Sequence, residues 1–446
     1  MKSVLELYLF FNLMKIILIF SYNFQLTENF IFVFGQKLMW QILKVIFMII
    51  QRQDYIDKVK PFINKHIIKV LIGARRSGKS TILKQIIDSL INEGIPQENI
   101  VWINFELSDY FEITDIKKLE EYISSQIENV DGNIYLFFDE IQVIPQWEKL
   151  INSYFAKGDY DIYITGSNSK LLSGEFATYL SGRYVELNIY PFSFREYVQY
   201  NEFHDDFKTH FYNYLEDGGM PSTYDYAGDD RKIIMMDLYN SIVLKDIIQR
   251  NNIKNVDLLD RIMRFVMYNI GQSFSANKVH KRLKQDLVNL SVNTIYNYLK
   301  FFENACLIYP VRREDLKGKK ILKHDEKYYL CDLGFRQAII GNNQRDITRI
   351  IENIVYMELL RRGYEITIGK VDDLEVDFVC KKQNQPIYIQ VSYLMESEET
   401  IEREFKSLKK IPDNYPKYVI SMDDANMSHD GIRHLNLVDF LLNDEI

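Results

Sequence analysis

Apolar residues fall at helical spacing over 54–64, and from His66 onward they give way to a β-branched run that ends at Gly73. That run predicts a strand covered on both faces. Over 80–92, Ile82, Leu83, Ile86, Ile87 and Leu90 share one helix face, and Glu93-Gly94 stops the pattern. Three further short apolar runs, 100–105, 133–138 and 161–165, each follow helical text, as parallel strands of an α/β sheet do. After Tyr190-Pro191 the text becomes helical and aromatic-rich to about Asn255, broken by the turn composition Asp217-Gly218-Gly219-Met220-Pro221. Two helices are predicted over 275–283 and 291–303, each with a serine before its first turn. Two extended runs, 306–311 and 321–330, flank Lys317-Gly318-Lys319-Lys320 and read as a hairpin with a basic tip. Residues 346–446 read helix, strand, strand, strand, helix, strand. The expected division is therefore 48–190, 191–255, 256–345 and 346–446, preceded by an extension over 1–47.

The extension consists of three apolar bursts separated by polar breaks, and the first carries Glu6, Asn12 and Lys15. A membrane-crossing helix needs about 20 mostly apolar residues, which none of the bursts supplies cleanly. Three readings stay open: translation that starts near Met48, a membrane-associated anchor, or accessory structure. The first is preferred, with membrane association expected only if the segment is made and inserted.

Composition narrows the class. Of 446 residues, 47% are hydrophobic, enough for several buried cores, and the formal net charge of -8 argues against wholesale coating of nucleic acid. Charge is segregated, however: 231–330 holds 19 Lys and Arg against 10 Asp and Glu. Cys306, Cys331 and Cys380 are too far apart for a zinc ribbon or a redox pair, and a reducing, cytoplasmic setting is expected. The seven histidines form no HExxH motif, which removes the common zinc hydrolases.

The chemistry concentrates at Gly73-Ala74-Arg75-Arg76-Ser77-Gly78-Lys79-Ser80-Thr81, which matches GxxxxGK[ST] between a predicted strand and a predicted helix. Backbone N–H groups of such a loop wrap a β-phosphate, Lys79 neutralises the β/γ oxygens, and the Ser80 hydroxyl ligates Mg²⁺. In Ile134-Tyr135-Leu136-Phe137-Phe138-Asp139-Glu140 an apolar strand feeds two carboxylates. Asp139 would hold the Mg²⁺ of bound ATP, and Glu140 would polarise the attacking water. Ser167 and Asn168, after the run 161–165, could sense the γ-phosphate or simply cap a helix. Arg183 is the candidate arginine finger, in cis or in trans, against a surface salt bridge. Arg75 and Arg76 could face phosphate or solvent.

These motifs, together with Thr165-Gly166-Ser167, Ser181-Gly182-Arg183-Tyr184, Tyr190-Pro191-Phe192-Ser193 and Gly218-Gly219-Met220-Pro221, resemble the prokaryotic AAA-type ATPases that carry a C-terminal domain of unknown function. The resemblance covers about Met48 to the end. It implies an AAA P-loop ATPase domain followed by a winged-helix-like segment and a fold resembling restriction endonucleases, and the helical text over 191–255 is expected to form a helical lid or connector between them.

The predicted helix pair and hairpin over 256–345 have the spacing of a helix-turn-helix with a basic wing. Asn293, Thr294, Asn297 and Lys300 on the second helix, with Lys317, Lys319 and Lys320 at the tip, are candidates for contact with double-stranded DNA; packing on a neighbouring domain is the other reading. In the last region the endonuclease-like pattern wants an acid, then Asp, then Glu-x-Lys. Glu352 and Asp377 occupy the first two places, but Gln390 and Ser392 stand in the last two, so an inactive nuclease-like domain is expected. The expected activity is hydrolysis of ATP with Mg²⁺, coupled to a DNA-contacting C-terminal half in a possible homo-oligomer. The alternative is a slow nucleotide-gated switch acting on a protein partner.

Overall fold

The computed structural model describes residues 50–169, 180–285, 291–318, 320–341, 346–444 and 446, and not the side chains of 282–285, 320 and 322–325. The three readings of 1–47, the join over 286–290 between the two helices predicted at 275–283 and 291–303, and Lys319 lie outside the described residues.

The chain enters through α1 (Gln53–Val59), which buries Tyr55, Ile56 and Val59 and ends where Pro61 admits only a 3₁₀ turn. The predicted runs then become strands of one parallel sheet: β1 (Ile68–Ile72), β2 (Ile100–Asn104), β3 (Ile134–Asp139), β4 (Tyr160–Gly166) and β5 (Tyr184–Asn188). Their order is β2-β3-β4-β1-β5, and every pairing is parallel. Helices α2 (Lys79–Asn92), α3 (Ile116–Ile127) and α4 (Trp147–Lys157) cover the faces. The predicted face of α2, with Ile82, Leu83, Ile86 and Leu90, packs on Leu71, Tyr135, Phe137, Tyr163 and Leu187. Being covered on both faces, β1 and β3 are buried at every position, which is why they read as unbroken apolar runs.

Helices α5 (Phe194–Tyr200), α6 (Phe207–Asp217) and α7 (Gly228–Ile242) follow, and α7 runs on as a π-helical turn over Val243–Gln249. Then come α8 (Val256–Tyr268), α9 (Ala276–Gln285) and α10 (Val292–Asn304), a hairpin of β6 (Ile308–Asp315) and β7 (Lys320–Leu330), α11 (Leu333–Ile340) and α12 (Ile347–Arg361). The remainder is β8 (Glu365–Val371), β9 (Leu374–Lys382), β10 (Gln385–Val391), α13 (Glu398–Lys409), β11 (Lys417–Ser421), β12 (Arg433–Asn436) and α14 (Leu437–Leu442).

The hairpin does not stand apart as a wing. Its strand β6 pairs in parallel with β8 through Arg313, Glu314 and Asp315, so the second sheet runs β12-β11-β10-β9-β8-β6-β7 and crosses the expected boundary at 345/346. Burial explains the placement, since Tyr328, Tyr329 and Leu330 are all enclosed, whereas a solvated wing would alternate.

The two glycine- and proline-bearing motifs after β5 meet in space. Phe192 donates its N–H to the Gly219 carbonyl at 2.7 Å, and Asp332 accepts from the N–H groups of Gly219 and Gly334. Arg361 of α12 reaches the carbonyls of Pro191 and Phe192 at 3.1 and 3.3 Å. These residues belong to one compact unit formed by Arg52–Val198 and Phe203–Ile446.

Candidate functional site

Strand β1 delivers the chain to Gly73, where an added Cβ would stand 2.1 Å from the Ile189 carbonyl, so only glycine fits. Arg76 at φ 62° and Gly78 at φ 100° curl the loop back into α2, whose first N–H groups have no acceptor within the helix. Lys79 is buried, and its Nζ lies 3.0 Å from the carbonyls of Gly73 and Ala74 and 3.7 Å from Glu140. The Ser77 hydroxyl is buried without a hydrogen-bond partner. From outside the motif, Arg52 donates to the Ser77 carbonyl at 3.0 Å while its other nitrogens hold Glu196 and the Tyr190 carbonyl. Neither Arg52 nor Glu196 was legible as part of the loop, because Arg52 meets Ser77 across 25 residues and Glu196 across 144, and no motif links them.

Strand β3 ends with Asp139 facing this loop. Thr165 Oγ1 on β4 donates to Asp139 Oδ1 at 2.5 Å and accepts the Glu140 N–H at 2.9 Å, so one hydroxyl fixes both acids. Asp139 Oδ2 is buried with no hydrogen-bond partner, and the Ser80 hydroxyl bonds the same carboxylate. Burial pushes the Asp139 carboxyl up, with Ser80 and Thr165 opposing. A hydroxyl beside a carboxylate with an unsatisfied oxygen fits a hard divalent cation, which would relieve that burial. Glu140 takes a left-handed turn at φ 59° and accepts from Gln142. Burial alone would raise its carboxyl, but Lys79, Arg75 and the bonds from Gln142 and Ser167 outweigh it and hold it below the ordinary value.

Ser167 and Asn168 are buried just past the end of β4, and Ser167 donates to Asp246 at 3.2 Å. Arg75 joins them: its Nε is 3.1 Å from Asp246 Oδ2 and its Nη1 2.9 Å from Glu106. Asp246 carries no motif, and nothing in the sequence pointed to it. Arg76 is exposed and Thr81 half-buried.

Arg183 is not brought to the loop. Parallel pairing of Ile68 with Tyr184 and Ile72 with Asn188 puts Arg183 at the opposite end of β1, where it donates to Asn152 at 2.7 Å. A finger in cis is therefore corrected by the register.

Of the DNA candidates, Asn293, Asn297 and Lys300 are exposed on α10, and Tyr296 shares that face. Thr294 is half-buried, and its backbone N–H donates to the Ser291 hydroxyl that caps the helix, at 3.1 Å. Lys300 pairs with Glu303 at 2.9 Å and Lys317 with Asp372 at 2.6 Å, while the side chains of Lys319 and Lys320 lie outside the described residues. In the second sheet, Glu352 and Asp377 do converge, but on Lys327 of β7, whose Nζ is 2.7 Å from Glu352, 2.7 Å from Glu375 and 3.9 Å from Asp377. Burial alone would lower the Lys327 ammonium, yet the three acids hold it above its ordinary value. Gln390 accepts the Asp377 N–H at 3.4 Å, and Ser392 is buried beside β11 through its N–H to Ile420. Among the described residues no group of three or more His, Cys, Asp or Glu is placed to hold a metal ion.

The chain is 37% identical over 397 residues to an uncharacterized protein of Haemophilus influenzae, an alignment covering 88% of this chain and 98% of that one. It belongs to the same family. An uncharacterized protein of Methanocaldococcus jannaschii is 30% identical over 359 residues, covering 77% and 78%. Within this family's chain, residues 65–198 match the AAA domain and 208–346 a domain of unknown function. The first region is accordingly an AAA domain with the loop of a P-loop ATPase. Asp246 falls in the second match, so the two matched regions share one site. A structure of the Aeropyrum pernix Orc1 protein in complex with DNA aligns at 10% identity over 65% of this chain and 91% of that one, with a TM-score of 0.28. So loose a superposition defines no common arrangement. No helix among the described residues is long and apolar enough to cross a membrane.

Proposed function

We propose that the protein binds ATP with Mg²⁺ at Gly73, Ala74, Arg75, Arg76, Ser77, Gly78, Lys79, Ser80 and Thr81, and hydrolyses it. The observation that carries this reading is the convergence of Lys79, Asp139 and Glu140 at the ends of β1 and β3. Lys79 exchanges its loop carbonyls for phosphate oxygens. Ser80 and Asp139 would hold the Mg²⁺, which when bound supplies charge neutralisation on the phosphates. Glu140, kept ionised by Lys79 and Arg75, takes the proton of the attacking water. Ser167 and Asn168 line the γ-phosphate side. Arg183, far from its own loop, would serve only a neighbouring copy, and a homo-oligomer follows if it does.

Hydrolysis is read as coupled to DNA contact by 256–345, with the ATPase part over 48–190, the connector over 191–255 and a catalytically silent nuclease-like part over 346–446. What supports DNA contact is the surplus of nine positive charges in 231–330 and the exposed face of Asn293, Tyr296, Asn297 and Lys300 on one helix. Three buried free cysteines accord with a cytoplasmic setting. The test is steady-state ATP hydrolysis with and without duplex DNA, with Lys79→Ala as the blank. A DNA-stimulated rate abolished by the substitution is expected. An unstimulated, slow rate with nucleotide retained would transfer the reading to a switch acting on a protein partner, and no hydrolysis would end it.

A further inference from the structure

The π-helical turn over Val243–Gln249 inverts ordinary burial: Leu244 is 50% exposed while Asp246 is 1% exposed. A buried carboxylate persists only where counter-charges hold it. Here Arg75 Nε at 3.1 Å, Arg250 Nη2 at 3.3 Å and Ser167 Oγ at 3.2 Å do so. Two of these partners belong to the phosphate site and one to the connector itself. The turn is also of a rare helical type that occurs frequently at functional sites.

We propose that Asp246 is the positioning residue through which nucleotide occupancy is relayed to the connector; the proposal rests on the reading of 73–80 as the ATP site. Arg75 lies inside the phosphate loop, and a guanidinium pairs with phosphate oxygens as readily as with a carboxylate. A triphosphate and Asp246 therefore compete for it. When Arg75 turns to phosphate, Asp246 keeps only Arg250 and Ser167, and a buried acid that loses a counter-charge must be rehydrated or repositioned. The π turn has to yield. Ser167 adds a second link, because it lies within reach of both Asp246 and Glu140 and its single hydroxyl proton can go to only one of these carboxylates at a time. By reciprocity, a partner that binds 243–249 changes the affinity for nucleotide by the same factor by which nucleotide changes the affinity for that partner.

The experiment uses the full chain, Mg²⁺-ATP titrations and amide hydrogen exchange over 236–255 with and without ATP. In the wild type, ATP should accelerate exchange over 243–250. Asp246→Asn should bind ATP about tenfold more tightly and lose that ATP dependence. Should Asp246→Asn fail to fold, Arg75→Gln, a change at a partly exposed side chain, should bind ATP more weakly and show the same exchange with and without it. ATP-dependent exchange that survives both substitutions, or an Asp246→Asn affinity within twofold of wild type, overturns the relay alone. A wild type that binds no ATP overturns the relay together with the assignment of the loop.

Discussion

Glu140 is at once buried and acidic, and its chemistry follows from what offsets its burial. Burial alone would raise its carboxyl, but Lys79 and Arg75 outweigh that and hold it below its ordinary value, which favours the ionised form. The acid limb of the hydrolysis profile set by Glu140 should accordingly lie below the range of an ordinary glutamate. Glu140→Gln removes the base while keeping the shape, and should lower the hydrolysis rate by about 10²–10³-fold with ATP binding retained, as read from single-turnover rates and equilibrium titration. At this scale the sequence was legible where chemistry is local. Gly73, Lys79, Asp139 and Glu140 each sit in a contiguous string whose neighbours fix their surroundings. Asp246 and Arg52 were not, since each acts on the loop across the fold and no periodicity records such a meeting. Arg183 shows the converse: its residue type suited a finger, but only strand register decides which end of a sheet a side chain occupies.

At the scale of elements, Asp332 caps α11 and receives Gly219 from the turn after α6, so one buried carboxylate ties two elements. Burial pushes its carboxyl up from 3.8 to about 6, against the N–H groups of Gly219 and Gly334. The folded state therefore binds the proton more tightly than the unfolded chain does. This group's contribution to stability is greatest below pH 3.8 and declines as pH rises to about 6, by about 3 kcal/mol in all. Asp332→Asn should flatten that slope in denaturant unfolding followed from pH 4 to 6. The elements themselves were largely readable, with β3 and β4 found to within a residue at each end and β1 to within two, because both their faces are covered. The hairpin was found too, but a two-stranded pattern carries no record of a third strand beside it. Its membership in the second sheet therefore stayed hidden.

Over the whole molecule, Lys327 is the buried counter-charge of Glu352, Glu375 and Asp377, contributed by a strand that precedes all three in the chain. Burial and the charge of Glu352 push the Asp377 carboxyl well up, with Lys327 opposing. Lys327→Met would strand these acids in a water-poor site, and a loss of about 3–5 kcal/mol is expected in equilibrium unfolding. Adding Glu352→Gln should recover part of it, which a merely steric defect would not allow.

The same hairpin bears on how the protein is made. During synthesis β6 and β7 leave the ribosome well before β8, and until that strand arrives the edge carrying Arg313, Glu314 and Asp315 has no partner. Lys327 meanwhile waits without its acids. The edge is thus closed only once β8 has been made, and translation that stops short of that strand leaves an open, adhesive edge for quality control to find.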